Sequence, residues 1–386
     1  MHVLILPSWY PRYDGDAEGS FFRDQAQALA DAGLTVGVVF ADLRGPRRYF
    51  RWGRQSGISV RQDGSINEVR SHGFNWFPRD ATRYEKLWLR HAEKAFATYV
   101  DRFGMPDILH VHSMEPAGSF AVRVADRYGI PFVVTEHSSF FLRNELRSKR
   151  GENMKAIARR SYCNIAVSQM FAAKLNKMTG SVWQYIPNIV SDRFLFASLI
   201  DHGREPFRLV SVASLGRHKR MDVVIDAVAA LRNRGRNIAL TIIGDGSERA
   251  RLEKMVGDLA LTEVVEFAGR VALSDMPKAM GTGDLLVSAS DFETFGVTLI
   301  EGMALGMPVV ATRSGGPDSI VTSEVGTLVP LGDPIALADA AAAIMDNIER
   351  YSPADIRTHC AARFSSRTVC RSLTTIYAEA IANARR

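Results

Sequence analysis

Residues 284–312 read DLLVSASDFETFGVTLIEGMALGMPVVAT, and their pattern decides the architecture. Leu285, Leu286 and Val287 form a short apolar run that ends in a polar loop at Ser290–Phe295. A helix is predicted to begin at Gly296–Val297, and Gly306 with Pro308 stops it before a second apolar run, PVVAT. Two short strands, apolar throughout and joined by a helix, are the repeating unit of a parallel sheet covered on both faces.

The alternation extends upstream. FRLVSVAS at 207–214 is followed by a helical VVIDAVAALRNRG, the strand ALTIIGDG, a helical ERARLEKMVGDLA and VVEFAG at 264–269. This series makes one Rossmann-like unit over 207–368. An earlier series runs HVLILP at 2–7, a helical FFRDQAQALADAG, TVGVVF, PDILHVHS, a helical AGSFAVRVADRYG, PFVVTEHS and NIAVS. It makes a second such unit over 1–195. Between them FASLIDHGREPF lacks periodicity and contains Gly203 and Pro206, so 196–206 reads as a linker. The segment 369–386 is an amphipathic helix that packs on one of the two domains, the N-terminal one being an option. A chain of 386 residues suits two domains. The expected fold class is therefore α/β, two doubly wound Rossmann-like domains facing a central cleft, with the ligand at the carboxyl ends of both sheets.

Composition narrows the function. With 46% hydrophobic and 23% charged residues and no low-complexity tract, the chain folds around full cores. Cys163, Cys360 and Cys370 form no CxxC or CxxH pattern, which argues against a disulfide framework or structural zinc. The opening MHVLILPSWY carries no basic leader, and no stretch approaches a membrane span, so a cytoplasmic protein is expected. The net charge of +6 is uneven: residues 1–200 hold 27 Lys+Arg against 19 Asp+Glu, and residues 201–386 hold 21 against 23. A polyanionic partner for the first half follows, and the run RGPRRYFRWGR at 44–54 mixes arginines with Tyr49, Phe50 and Trp52 as an anionic membrane surface would favour. No nucleic-acid-binding motif accompanies it. A solvated basic face is the alternative, and peripheral attachment to an anionic membrane through the N-terminal domain is the expectation.

Glu293 and Glu301 stand eight positions apart across the start of the predicted helix. Two carboxylates in an apolar segment suit ligand hydroxyls, or else a helix-terminal acid and a solvent-facing glutamate. The free amides at Gly296 and Val297 suit a phosphate. Arg217, Lys219 and Arg220 follow one strand and precede a helix, where cations neutralise a diphosphate leaving group or simply meet water. IIGDGSER holds a GxG at a strand–helix junction, but Arg249 occupies the third fingerprint position, so a tight turn competes with a dinucleotide site. Gly15 and Gly19 lie in the loop after the first strand, and His110, His112 and His137 lie at strand ends. Asp14-Gly15-Asp16 reads as turn chemistry rather than a metal pair.

Taken together, PSWYP with Gly19, PDILHVH, VVTEHSS, IPNIV, VASLGRHKRMDVVIDA, IIGDGSERARLE, VEFAGRV, ETFGVTLIEGMALGMPVVAT, GGPDSIV and GTLVP resemble the retaining glycosyltransferases of family four, which have the GT-B architecture. The resemblance implies transfer of a sugar from a UDP- or GDP-sugar to an acceptor hydroxyl, without a metal or other cofactor. It implies that Lys219 holds the donor phosphates, Glu293 the sugar hydroxyls and Glu301 the ribose. It also implies that the amides of Phe295, Gly296 and Val297 meet the sugar and diphosphate, and that Arg270 and Val271 flank the base. Gly19 lies under the donor and His137 beside the transferred sugar. Where the family has a GR pair this chain has Ala213 and Ser214, so Arg217 is the candidate replacement for the missing arginine; PNIV replaces a PNG-like segment.

The implied acceptor is a glycan, a glycolipid or a lipid-linked carrier, and the protein is placed in the cytoplasm or on the inner membrane face. The rival readings are a sugar-nucleotide epimerase or hydrolase on the same fold, and a non-catalytic nucleotide-sugar binding protein.

Overall fold

A computed structural model describes residues 1–386 except 14, 17, 46–55, 144–148, 202 and 204. It divides into two compact units, Met1–Ile189 with Val369–Arg386, and Val190–Thr368.

The first unit is built on an eight-stranded sheet in the order β3-β4-β2-β1-β5-β6-β7-β8. In chain order its strands are β1 (His2–Pro7), β2 (Thr35–Arg44), β3 (Gly57–Asp63), β4 (Ile66–Phe74), β5 (Ile108–His112), β6 (Phe132–Glu136), β7 (Cys163–Ala166) and β8 (Trp183–Tyr185). All neighbours are parallel except β3 and β4, which form an antiparallel hairpin. Val3, Leu4, Ile5 and Leu6 are fully buried because helices cover both faces of the central strand. Strand β1 pairs with β2 on one side and β5 on the other, so the strand order reverses there, and a crevice opens beyond their carboxyl ends. Helix Ala81–Phe103 starts at Asp80, whose carboxylate accepts the Arg83 amide at 3.0 Å. The C-terminal helix, Ser366–Ala384, contributes Leu373, Ile376, Tyr377 and Ala380 to this unit's core.

The second unit carries a six-stranded, wholly parallel sheet in the order β11-β10-β9-β12-β13-β14. Its strands are β9 (Phe207–Val212), β10 (Ile238–Ile243), β11 (Val265–Gly269), β12 (Leu285–Ser288), β13 (Val309–Thr312) and β14 (Gly326–Val329). Here β9 lies between β10 and β12, which sets the reversal at the loops after β9 and β12. Because every strand is parallel, all the loops that follow strands emerge at one edge.

Two features depart from the sequence reading. The hairpin β3–β4 and the helix Ala81–Phe103 had no predicted counterpart. Residues 190–200, read as domain end and linker, are hydrogen-bonded into the second unit: the Val190 amide donates to the Phe364 carbonyl at 2.8 Å and the Ile200 amide to the Leu305 carbonyl at 3.0 Å. Aperiodic sequence says only that side chains are not banded; backbone groups still find partners.

No helix among the described residues is long and apolar enough to cross a membrane.

Candidate functional site

In the second unit the loop after β9 passes through a 3₁₀ turn at Arg217–Lys219, and the Lys219 amide donates to the Gly216 carbonyl at 3.0 Å. The loop after β12 runs to helix Val297–Ala304. These two loops meet. The Asp291 amide donates to the His218 carbonyl at 2.9 Å, and the His218 and Phe292 rings stack with centroids 5.1 Å apart at 8°. The Lys219 ammonium donates to Glu293 Oε1, which also accepts from Ser290 Oγ at 2.9 Å. Glu293 is fixed through its backbone as well: its amide donates to the Ser314 carbonyl at 3.0 Å, and its carbonyl accepts the Gly316 amide at 2.9 Å.

Gly296 caps helix Val297–Ala304 with φ 112°, a conformation closed to ordinary side chains, and no side chain caps the helix there. The first-turn amides and their partial positive charge therefore face the same loops that carry Lys219 and Glu293. Phe295, 1% exposed, anchors the turn against Phe364 at a ring separation of 5.8 Å. Glu301 lies in the second turn of the helix and is partly buried. The arrangement brings a cation, a carboxylate and a helix start without a side-chain cap together at one sheet edge, a set of groups that suits a diphosphate joined to a polyol.

Other expected residues lie on the same sheet edge but not in this cluster. The Arg217 side chain is 90% exposed, and Glu248 is 4.0 Å from its guanidinium. Arg270 is mostly exposed beside Asp245 at 3.7 Å, and Val271 follows it. Loops after β9 and β10 are joined backbone to backbone, Leu215 donating to Asp245 at 3.1 Å and Glu248 to Leu215 at 3.0 Å. That contact gives the GxG its role as a turn packed on a neighbouring loop.

In the first unit Gly19 begins helix Ser20–Asp31 at φ 82°, where a Cβ would stand 3.1 Å from the Trp9 ring. The helix delivers Phe21 and Phe22 against His137, with ring centroids 5.2 Å and 4.7 Å away. His137 follows β6, is 6% exposed, and stacks on His112 at 5.3 Å with its Nε2 3.1 Å from His112 Nδ1. Burial holds the pKa values of His112 and His137 well below the ordinary histidine range and that of His110 down to about 3. All three rings are neutral at physiological pH. Asp16 accepts the Arg12 and Glu18 amides, each at 3.1 Å, in a turn. Asp14 and the run Arg47, Arg48, Tyr49, Phe50, Arg51 and Trp52 lie outside the described residues.

Several functional neighbours went unread in the sequence. The buried Glu136 carboxylate gathers three amides, those of Met114 at 2.8 Å, His137 at 2.9 Å and Ser138 at 2.8 Å, and so holds the loops after β5 and β6 together. Its place between Thr135 and His137 at a strand end was the available signal. Ser290, Asp291 and Phe292 carried none, because their partners are distant in sequence. Arg44 and Arg70 contribute to the basic balance of the first half, yet they are buried against Asp42 and Glu68. The exposed basic face is correspondingly smaller than the count suggests.

Sucrose-phosphate synthase from Thermosynechococcus elongatus superposes with a TM-score of 0.79, covering 99% of both chains at 21% identity. The fold is that of the GT-B glycosyltransferases. Residues 19–194 match the family model described as glycosyltransferase family 4, and residues 198–356 match the one described as glycosyl transferases group 1. Phosphatidyl-myo-inositol mannosyltransferase from Mycobacterium leprae is 33% identical over 260 residues, which cover 64% of this chain and 66% of that one. D-inositol 3-phosphate glycosyltransferase from Pseudarthrobacter chlorophenolicus is 29% identical over 364 residues, covering 86% and 83%. The chain belongs to glycosyltransferase family 4 and is a glycosyltransferase.

Proposed function

We propose that this protein transfers a sugar from a UDP- or GDP-sugar to a hydroxyl of a glycolipid, a growing glycan or a lipid-linked carrier, with retention at the anomeric carbon and without a metal ion. The observation that carries the reading is the contact of Lys219 with Glu293 beside the uncapped start of helix Val297–Ala304. On donor binding Lys219 takes a phosphate oxygen and Glu293 turns to the sugar hydroxyls. As the bond to the sugar breaks, negative charge grows on the nucleoside diphosphate, and Lys219, Arg217 and the amides of Phe295, Gly296 and Val297 stabilise it. Glu301 holds the ribose, and Arg270 and Val271 flank the base. The acceptor hydroxyl attacks from the face the leaving group departs, passing its proton to the leaving phosphate. His137, neutral and packed against Phe21 and Phe22, is the first unit's candidate for a hydrogen bond to the transferred sugar.

The acceptor class is supported by the charge asymmetry of the chain and by the named substrates of the mycobacterial relative. Peripheral attachment to the anionic inner face of the membrane follows from the same asymmetry. A thermal-shift panel of UDP- and GDP-sugars tests the donor, since a ligand of the folded state raises Tm by mass action. Stabilisation by at least one of these sugars, with release of its nucleoside diphosphate when acceptor is added, is the expected result. No shift with any member of the panel refutes the reading.

A further inference from the structure

Among the described residues three that are not glycine have positive φ: Ser113 at 64°, Arg220 at 47° and Ala260 at 54°. Ala260 follows the last turn of helix Arg249–Asp258, an ordinary place for such a residue. Arg220 closes the 3₁₀ turn Arg217–Lys219, its amide donating to the Arg217 carbonyl at 3.2 Å, and at the same time starts the next helix. It follows Lys219 directly, between the 3₁₀ turn and helix Met221–Asn233, and a left-handed arginine persists only where its surroundings over-determine it.

The surroundings do so. Arg220 Nε donates to Asp222 Oδ1 at 3.2 Å, and Nη1 donates to Asp291 Oδ1 at 3.2 Å. Asp222 lies on the helix that follows, whereas Asp291 lies on the other loop, two residues before Glu293. One guanidinium therefore ties its own turn to the loop that carries the partner of Lys219. The two acids also hold the guanidinium firmly protonated, its pKa raised chiefly by the hydrogen bond to Asp222. With both carboxylates engaged, this arginine is committed to the protein rather than available to a ligand.

We propose that Arg220 is a positioning residue for glycosyl transfer: its left-handed backbone and its bridge to Asp291 set the place of the Lys219 ammonium beside Glu293. This rests on the reading that Lys219 binds the donor diphosphate. A planar fork reaching two acids fixes direction, as a lysine cannot. Small displacements of a charge meant for a transition state are costly, so the clasp acts on the rate through Lys219 and not on the fold at large.

Arg220→Gly separates these roles, because glycine accepts φ 47° without strain and removes only the clasp. The test measures kcat/KM with the donor sugar, and Kd for UDP and GDP by calorimetry, in Arg220→Gly, Asp291→Asn, Lys219→Ala and the two double variants with Lys219→Ala. The expected result is a loss of about tenfold in kcat/KM, or in affinity for the preferred nucleotide, for each clasp variant alone, and less than about twofold once Lys219 is already alanine. Arg220→Lys recovers part of the loss. Equal losses in both backgrounds mean a general structural role and overturn the proposal, as does wild-type behaviour of Arg220→Gly. An inert Lys219→Ala overturns the donor reading itself, a distinct outcome visible in the same set.

Discussion

Lys219 and Glu293, 74 positions apart in the chain, are each other's partner: the ammonium donates to Oε1, and Ser290 donates to the same oxygen at 2.9 Å. Each side chain is 20% exposed, so both heads can be reached from solvent. A donor that bears a diphosphate and a sugar offers each of them a replacement partner. In the proposed reaction donor binding breaks this pair, and the new contacts strengthen as charge moves to the leaving phosphate.

Lys219→Ala therefore lowers kcat/KM by about a hundredfold, equivalent to ~3 kcal/mol of transition-state stabilisation. Arg217→Ala, which removes an exposed side chain free to swing toward the phosphates, costs on the order of tenfold. Steady-state kinetics on the two variants and the double variant check both figures. An Arg217→Ala enzyme with unchanged kcat/KM leaves Lys219 and the helix amides as the whole of the diphosphate site.

If Glu301 holds the ribose as proposed, Glu301→Ala acts on nucleotide binding rather than on the chemistry. Calorimetry with UDP and GDP is expected to show weaker binding of the preferred nucleotide, with kcat at saturating donor changed far less than in Lys219→Ala. Unchanged affinity for both nucleotides removes Glu301 from the ribose.

Turnover is expected to persist in excess EDTA, because in the proposed reaction Lys219 and the first-turn amides at Gly296 supply the charge stabilisation that a divalent ion supplies elsewhere. Activity lost in EDTA and restored by magnesium or manganese contradicts this.

Acid is expected to destabilise the protein through its buried histidines. His110, His112 and His137 have folded-state pKa values below the ordinary 6.5, so the unfolded chain binds protons that the folded one refuses. Their contribution is complete above about pH 6.5 and is lost as pH falls below it, by up to about 1.4 kcal/mol per pH unit for each ring. For His110 the loss levels off near pH 3. Asp42, whose carboxyl pKa is lowered by hydrogen bonds from His72 and Arg44 that outweigh its burial, adds a loss of the same sign below its ordinary value of 3.8. Urea midpoints measured from pH 7.5 to pH 4.5 fall steadily, and less steeply in a His110→Gln variant that remains folded. A flat profile shows that these rings are not the acid-labile groups.

If the proposed membrane attachment holds, anionic vesicles are expected to retain the protein at low salt and release it at high salt. Replacing Arg47, Arg48 and Arg51 with serine weakens retention if the run at 44–54 supplies the contact. Absence of the protein from pelleted anionic vesicles at low salt assigns it a soluble acceptor.

The parallel strands of the two sheets were legible because local pattern reports them directly. The apolar runs HVLILP and PVVAT are buried on both faces, and each is separated from its parallel neighbour by a helix whose period differs from its own. The hairpin β3–β4 was weaker in sequence, since β3 is an exposed edge with few apolar residues, although Asp63-Gly64 between two alternating segments was a usable turn signal. The chain by itself also located the loops at strand ends where Lys219, Glu293 and His137 lie, since a loop's place on a parallel sheet follows from strand order. Only tertiary structure decided which charges meet. Lys219 finds Glu293, Arg220 finds Asp291, and His110 meets Tyr377 at 2.6 Å across 267 positions, because topology and not sequence separation brings those strand ends and helices together. It also decided which arginines are spent inside, as Arg44 and Arg70 are. A charge count weighs every arginine alike, whereas a folded chain pairs some of them in its core and leaves the rest to its ligands.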